Sequence, residues 1–201
     1  MLPTKKAIWF LSTVWNNLIV VFLVGGLIVF FPNPSLSQEE ARLTDIIVTN
    51  TRDDLLLFLS VKGAFREKMK SAILSGVPTT FSFKMSMHKV QGLWAGEELV
   101  KKTVTHFIKY DPLKKEFMVT RSWEPSGLRV TKSFIEARKW MTEINSLRLI
   151  SLDLLEKGGH YQIRAKAELD KVTLPFYLHY VLFFLSLWDF ETDWYTIDFI
   201  Y

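Results

Sequence analysis

Residues 161–170 read YQIRAKAELD and lead, after three residues, into residues 174–194, LPFYLHYVLFFLSLWDFETDW. In the first of these, Tyr161, Ile163, Ala165, Ala167 and Leu169 alternate with Gln162, Arg164, Lys166, Glu168 and Asp170. A period of two puts the first set on one face of a strand and the second on the other, so this is a half-buried strand of an antiparallel sheet. The run that follows changes character. From Leu174 to Trp188 only His179 and Ser186 are markedly polar, and then Asp189, Glu191 and Asp193 arrive between Trp188 and Trp194. As a helix, Leu174 to Trp188 is only about 22 Å long at ~1.5 Å per residue, short for a bilayer crossing. It reads instead as a long aromatic-rich connection, partly tucked under the sheet, between that strand and a final strand-like run at Trp194 to Tyr201.

Working outward, the same alternation recurs. Phe81, Phe83, Met85 and Met87 alternate with Ser82, Lys84, Ser86 and His88, and Val100, Val104 and Ile108 punctuate a long strand from Glu98 to Tyr110. Asp111-Pro112-Leu113-Lys114 is a turn with proline at its favoured second position. Lys115 to Trp123 returns as the hairpin partner, and Pro125-Ser126-Gly127 turns the chain into Leu128 to Thr131. Upstream, Ala41 to Asn50 and Asp54 to Gly63 form a hairpin across Thr51-Arg52-Asp53. The second of these is apolar on both faces near its start, which suits a central strand or one covered by a helix. Gln91-Gly92 with Trp94-Ala95-Gly96 reads as a loop, Leu147 to Leu152 as a short strand, and Gly158-Gly159 as a turn.

Two segments carry helical periodicity. Phe65, Met69, Ala72 and Ile73 share a face, and Gly76 and Pro78 end the helix. Ser133-Phe134-Ile135-Glu136 is a capping box, in which the serine hydroxyl accepts from the Glu136 amide and the glutamate returns to the serine amide. Phe134, Ala137, Met141 and Ile144, with Trp140 beside them, form the buried face of that helix, which ends near Asn145. The class is therefore α+β: a β-rich, mostly antiparallel sheet or sandwich of about eight strands with two short helices, preceded by one N-terminal hydrophobic helix.

That N-terminal segment has Lys5 and Lys6 before an apolar stretch from Ala7 to Phe31, interrupted by Asn16 and Asn17 and stopped by Pro32-Asn33-Pro34. Basic flank, apolar core and the small residues Ser35 and Ser37 before Gln38 make residues 1–37 a signal peptide or a signal anchor. Both outcomes fit: cleavage leaves a periplasmic protein, and retention leaves a single-pass inner-membrane protein with a periplasmic domain of residues 38–201. With 201 residues, 49% of them hydrophobic, the chain forms one globular domain after this segment. Its net charge of +4 comes without a long basic block, which argues against nucleic-acid binding. It has no cysteine, so disulfides, thiolate metal sites and a cysteine nucleophile are excluded.

The order of several short features resembles a bacterial envelope family catalogued as domain of unknown function 4390. The matching features are Ser75-Gly76-Val77-Pro78 before the Phe81 strand, the Trp94 loop, and Tyr110-Asp111-Pro112-Leu113. They continue with the helix carrying Glu136-Ala137, then Ala167-Glu168-Leu169-Asp170 leading to Leu174-Pro175, and finally Trp188 and Trp194. The resemblance covers essentially the whole chain after residue 37. It implies an exported or membrane-anchored domain and brings no activity, cofactor or catalytic residue.

The residues themselves name no reaction. Asp189, Glu191 and Asp193 project from one face of an extended strand, an arrangement open to a hard cation or an acid–base pair of a hydrolase; without the turn glycine and further oxygen ligands of a calcium loop, it reads foremost as a solvated edge salt-bridged to nearby lysines. His88, His106, His160 and His179 are scattered without metal-ligand spacing, and no nucleophile elbow, Walker loop or dinucleotide fingerprint is present. No cofactor, metal or catalytic residue is assigned. The expected function is a non-enzymatic envelope protein that binds a protein partner, with the inner membrane contacted through the N-terminal segment. The candidate binding surface is Tyr177, Tyr180, Phe183, Phe184, Leu187, Trp188, Asp189, Glu191, Asp193 and Trp194. The alternatives are a periplasmic carrier of lipids or apolar ligands, its cavity lined by Phe81, Phe83, Met85 and Tyr177 to Leu187, and a hydrolase using the acidic cluster.

Overall fold

The computed structural model describes residues 40–92, 94–170 and 190–201, so the N-terminal segment 1–37 and the Leu174 to Asp189 run lie outside the described residues. Among the described residues nine strands form two antiparallel sheets. β1 (Arg42–Asn50), β2 (Asp54–Lys62) and β7 (Glu143–Ser151) make a three-stranded sheet in the order β1-β2-β7. The second sheet contains β3 (Thr79–Gln91), β4 (Trp94–Asp111), β5 (Glu116–Arg121), β6 (Leu128–Thr131), β8 (His160–Leu169) and β9 (Tyr195–Ile200), in the order β6-β5-β4-β3-β8-β9. The class expected from the periodicities is the one observed, with α1 (Glu67–Leu74) and α2 (Phe134–Thr142) as the two helices.

One core serves both sheets and both helices. Phe81, Phe83, Met85 and Met87 of β3, Tyr161, Ile163, Ala165 and Ala167 of β8, and Leu55, Leu57, Leu59 and Val61 of β2 are all buried in it, with Met69 and Ile73 of α1 and Ala137 and Met141 of α2. β2 is central, as its double-sided apolar start implies. A row of aromatic rings crosses the core: Tyr110 meets Phe117, Phe117 meets Phe134, Phe134 meets Phe65, Phe65 meets Phe81, and Phe81 meets Phe190, with centroids 4.7–5.8 Å apart. Tilted and edge-on contacts of this kind add to the burial of the rings.

Three local readings are corrected. Trp94-Ala95-Gly96 is not a loop: Gln91 pairs with Trp94 and Val90 with Ala95, so the strand resumes at once. Gly96 serves this close approach, since a Cβ there would lie 2.2 Å from the Lys89 carbonyl oxygen. Second, α2 stops at Thr142 instead of near Asn145, and β7 begins at Glu143 instead of Leu147. Pairing of Ser60 with Glu143 and Leu59 with Ile144 takes the backbone groups a further helical turn would use, and Ile144 is buried from a strand. Third, the capping box is relayed. Ser133 Oγ accepts from the Glu136 amide at 3.4 Å, but the Glu136 carboxylate accepts from Thr131 Oγ1, which in turn accepts from the Ser133 amide at 3.1 Å.

At the end of α1 the Val77 amide reaches the Ala72 carbonyl and the Gly76 amide reaches Ile73, a Schellman arrangement in which Gly76 takes φ +87°. A Cβ at Gly76 finds space, with its nearest neighbour at 3.9 Å, so the cost of adding one is conformational. Gly76→Ala is expected to lower stability by about 1 kcal/mol without changing the fold. A urea titration checks this, the midpoint falling at an unchanged slope.

Candidate functional site

The acidic segment forms an edge of the large sheet. Phe190 is buried against Phe81 at 4.7 Å, and its carbonyl accepts from the Leu169 amide at 2.9 Å. The Thr192 amide donates to the Ala167 carbonyl, and the Ala167 amide donates to Thr192 Oγ1 at 3.0 Å. Glu168 and Glu191 form a bridge pair, whereas Ala165 pairs with Tyr195, so one extra residue is accommodated between them and Thr192 supplies a side-chain acceptor there. The alternation expected of this segment is present: Phe190 and Thr192 point inward, Glu191 and Asp193 outward. Of the surface expected from the sequence, Glu191, Asp193 and Trp194 are thus on one exposed edge, while Tyr177, Tyr180, Phe183, Phe184, Leu187, Trp188 and Asp189 lie outside the described residues.

The outward side chains pair with the polar face of β3 and β8. Lys166 donates to Glu191 and lies 3.8 Å from Glu168, which also meets Lys84 at 2.5 Å. Trp194, 44% exposed, stacks beneath Arg164 at 5.1 Å and Lys166 at 5.7 Å. The result is a ladder of alternating charge with an indole at its end. The hydrogen bond and charge of Lys166 hold the Glu191 carboxyl below its usual range, and Glu168 raises Lys84. Glu191 is therefore an anion at neutral pH, the opposite of the raised carboxyl that a general acid requires.

Behind this edge lies a cleft of about 280 Å³ lined by Glu40, Ala41, Arg66, Phe190, Glu191 and Asp193. Arg66 precedes α1, and its Nε is buried without a hydrogen-bond partner among the described residues. Phe81, Phe83 and Met85 are packed in the core and line neither this cleft nor a second one of about 520 Å³ between the end of β2 and α2. Among the described residues no group of three or more His, Asp or Glu is placed to hold a metal ion.

A buried polar cluster that no sequence motif marks joins the sheet to α2. His106 Nδ1 donates to the Met141 carbonyl at 3.0 Å, and Trp123 Nε1 donates to His106 Nε2 at 3.1 Å, which settles the tautomer. Arg121, equally buried, donates from Nε to the Trp140 carbonyl at 3.0 Å and from Nη1 to Glu124 at 2.8 Å. Glu124 is also held through two bonds by Arg129. Trp140 and Met141 are in the last turn of α2, where carbonyls lack helical partners, so two sheet side chains terminate the helix. The available signal was parity: His106 shares the face of Val104 and Ile108.

The fold is an α+β domain built on a six-stranded and a three-stranded antiparallel sheet, with a charge-laddered edge on the larger one. Residues 38–198 match the family described as Domain of unknown function (DUF4390), and the chain belongs to that family. No curated protein and no solved structure matches it.

Burial lowers His106 from the ordinary 6.5 to about 4. The unfolded chain takes up this proton below pH 6.5 while the folded one resists until about pH 4, so stability is present above 6.5 and lost as pH falls through this window. The loss from this group is about 3 kcal/mol. Glu191 and Asp111, both depressed, add further loss at lower pH in the same direction. His106→Gln removes the titrating ring, and its urea midpoint is expected to fall less than the native one between pH 6.5 and 4.

Proposed function

We propose that this is a non-enzymatic bacterial envelope protein, exported or membrane-tethered through its N-terminal segment, whose domain serves as a protein-binding or accessory module. The observation that carries the reading is the shared corner. Glu40, which follows the apolar N-terminal segment in the sequence, and Phe190, Glu191 and Asp193, which follow the Leu174 to Trp188 run, line one cleft. The described chain therefore starts, at Glu40, beside the place where it resumes at Phe190. Beside that corner lies an exposed edge carrying Trp194 over two cations, the aromatic–cation pairing that recurs at the centres of binding surfaces. Paired carboxylates and an ionised Glu191 suit electrostatic recognition better than proton transfer.

A photo-reactive amino acid at position 194 of the full chain is expected to give a discrete protein adduct in cells, and one at Lys157, before the opposite end of β8, is not. Absence of an adduct at 194 overturns the binding reading, and release of the chain by carbonate overturns the tether. Trp194→Ala is expected to lower partner capture about tenfold or more, as loss of a central aromatic does. The fold should lose less than about 1 kcal/mol, since the indole is half exposed and held mainly by cation contacts.

A further inference from the structure

The hairpin between β4 and β5 carries an apolar residue with nothing to pack on. Among the described large apolar residues Leu113 is the most exposed, at 93%. The turn that presents it is rigid: Asp111 Oδ1 accepts from the Leu113 amide at 2.9 Å and the Lys114 amide at 3.1 Å, Pro112 intervenes, and Lys115 holds φ +56°. Lys109, Lys114 and Lys115 flank it in the sequence, all exposed and none within ion-pair distance of a carboxylate among the described residues, although the charges of Lys114 and Lys109 act on the Asp111 carboxylate. Glu116, the one glutamate of this turn, is 4.0 Å from Lys132.

Strand register gives this tip its place. Thr79 of β3 pairs with Ile108 of β4, Phe81 pairs with Leu169 of β8, the Asp170 amide donates to the Thr80 carbonyl, and Leu169 donates to Phe190. The end of the sheet where the chain leaves at Asp170 and returns at Phe190 is thus the end from which the tip projects, about 10 Å past the Ile108 rung at ~3.4 Å per residue. Behind the tip, on the face opposite the core, Phe107 aligns with Thr120 and Leu128, and Lys109 with Met118 and Val130. Leu128 and Val130 are 58% and 49% exposed. An apolar point, an apolar shelf behind it and surrounding lysines are the composition that partitions into the headgroup layer of an anionic bilayer.

We propose that the Asp111 to Lys115 tip is a membrane-surface contact, with Leu113 entering the interfacial layer and Lys109, Lys114 and Lys115 meeting anionic headgroups. The inference rests on the membrane-tethered reading above. It gives the domain a second, reversible attachment that orients the Trp194 edge relative to the bilayer.

The chain lacks cysteine, so Leu113→Cys carries a single environment-sensitive nitrobenzoxadiazole label in the full-length protein. The protein is reconstituted into vesicles of phosphatidylethanolamine with phosphatidylglycerol, or of phosphatidylcholine alone. In the anionic vesicles the label at 113 is expected to shift to the blue and be quenched by lipid-borne nitroxide, while a label at Leu154→Cys, exposed just before β8, stays solvent-like. Lys114→Glu with Lys115→Glu is expected to lower the immersed fraction more than about tenfold, and high salt to act likewise. These side chains are exposed, so thermal midpoints of the variants should match the parent. A solvent-like label at 113 in anionic vesicles, or equal quenching at 113 and 154, overturns the contact. A label at 113 shielded in native membranes but not in lipid vesicles also overturns it, in favour of a protein partner. A chain retained after carbonate with a solvent-like 113 sinks this inference alone, whereas carbonate release sinks the tether.

Discussion

The pairing of β3 with β8 is the constraint on which the rest of the molecule depends. It runs without a register break from Phe81 opposite Leu169 to Lys89 opposite Tyr161, and it joins segments far apart in the chain. Rungs that turn apolar pairs to the core, from Phe81 with Leu169 to Met87 with Ile163, alternate with polar rungs on the other face, so a slip of one residue would carry Phe81, Phe83, Met85 and Met87 to water. One outward rung sets Lys84 opposite Lys166, a like-charge pair whose repulsion is offset by Glu168, which meets both lysines, and by Glu191, which meets Lys166. The charge ladder of the candidate edge is thus the solvent face of the same pairing that builds the core.

The buried polar cluster resolves a conflict created by packing α2 on the sheet. A helix end pressed against a core leaves carbonyls without water, and each unpaired one costs about as much as a lost buried hydrogen bond, ~1–3 kcal/mol. His106 and Arg121 remove that cost at Met141 and Trp140, and Glu124 removes the next one by neutralising Arg121. A neutral histidine suits a site where burial penalises charge, and the arginine is acceptable because its carboxylate partner is anchored by Arg129. Lys102 links the two sheets in a more exposed place, donating from β4 to the Arg148 carbonyl of β7 at 2.6 Å, and partial burial lowers its pKa.

Much of the fold was legible because antiparallel strands and short helices announce themselves locally. The Asp111 turn, the Ser133 cap, the Gly76 helix end and the alternation from Phe190 to Asp193 follow from hydrogen-bonding chemistry or side-chain period over a few residues. The errors also had local causes. Ile144 has helical spacing from Met141, which places it on α2 by period alone, although pairing with Leu59 makes it a strand residue. Gly96 carries the usual loop composition, yet its missing Cβ is used for close approach to Lys89. At the candidate edge the outward Glu191 and Asp193 were legible, but the partners Lys166 and Arg164 belong to another strand and carry no signal that names them.

The amino-acid sequence alone determined the class, the turns, the two helices and which face of each strand is apolar, because these depend on neighbours within one or two turns of chain. The tertiary structure decided that β8 lies beside β3 and β7 beside β2. It also decided that His106 meets the end of α2 and that Leu113 projects from the end where Asp170 and Phe190 lie. Those outcomes depend on which apolar faces fill one another's volume and which buried donors find acceptors, and several strands of this chain present nearly the same alternating pattern. Local period cannot choose among them; close packing and hydrogen-bond satisfaction in a single core do.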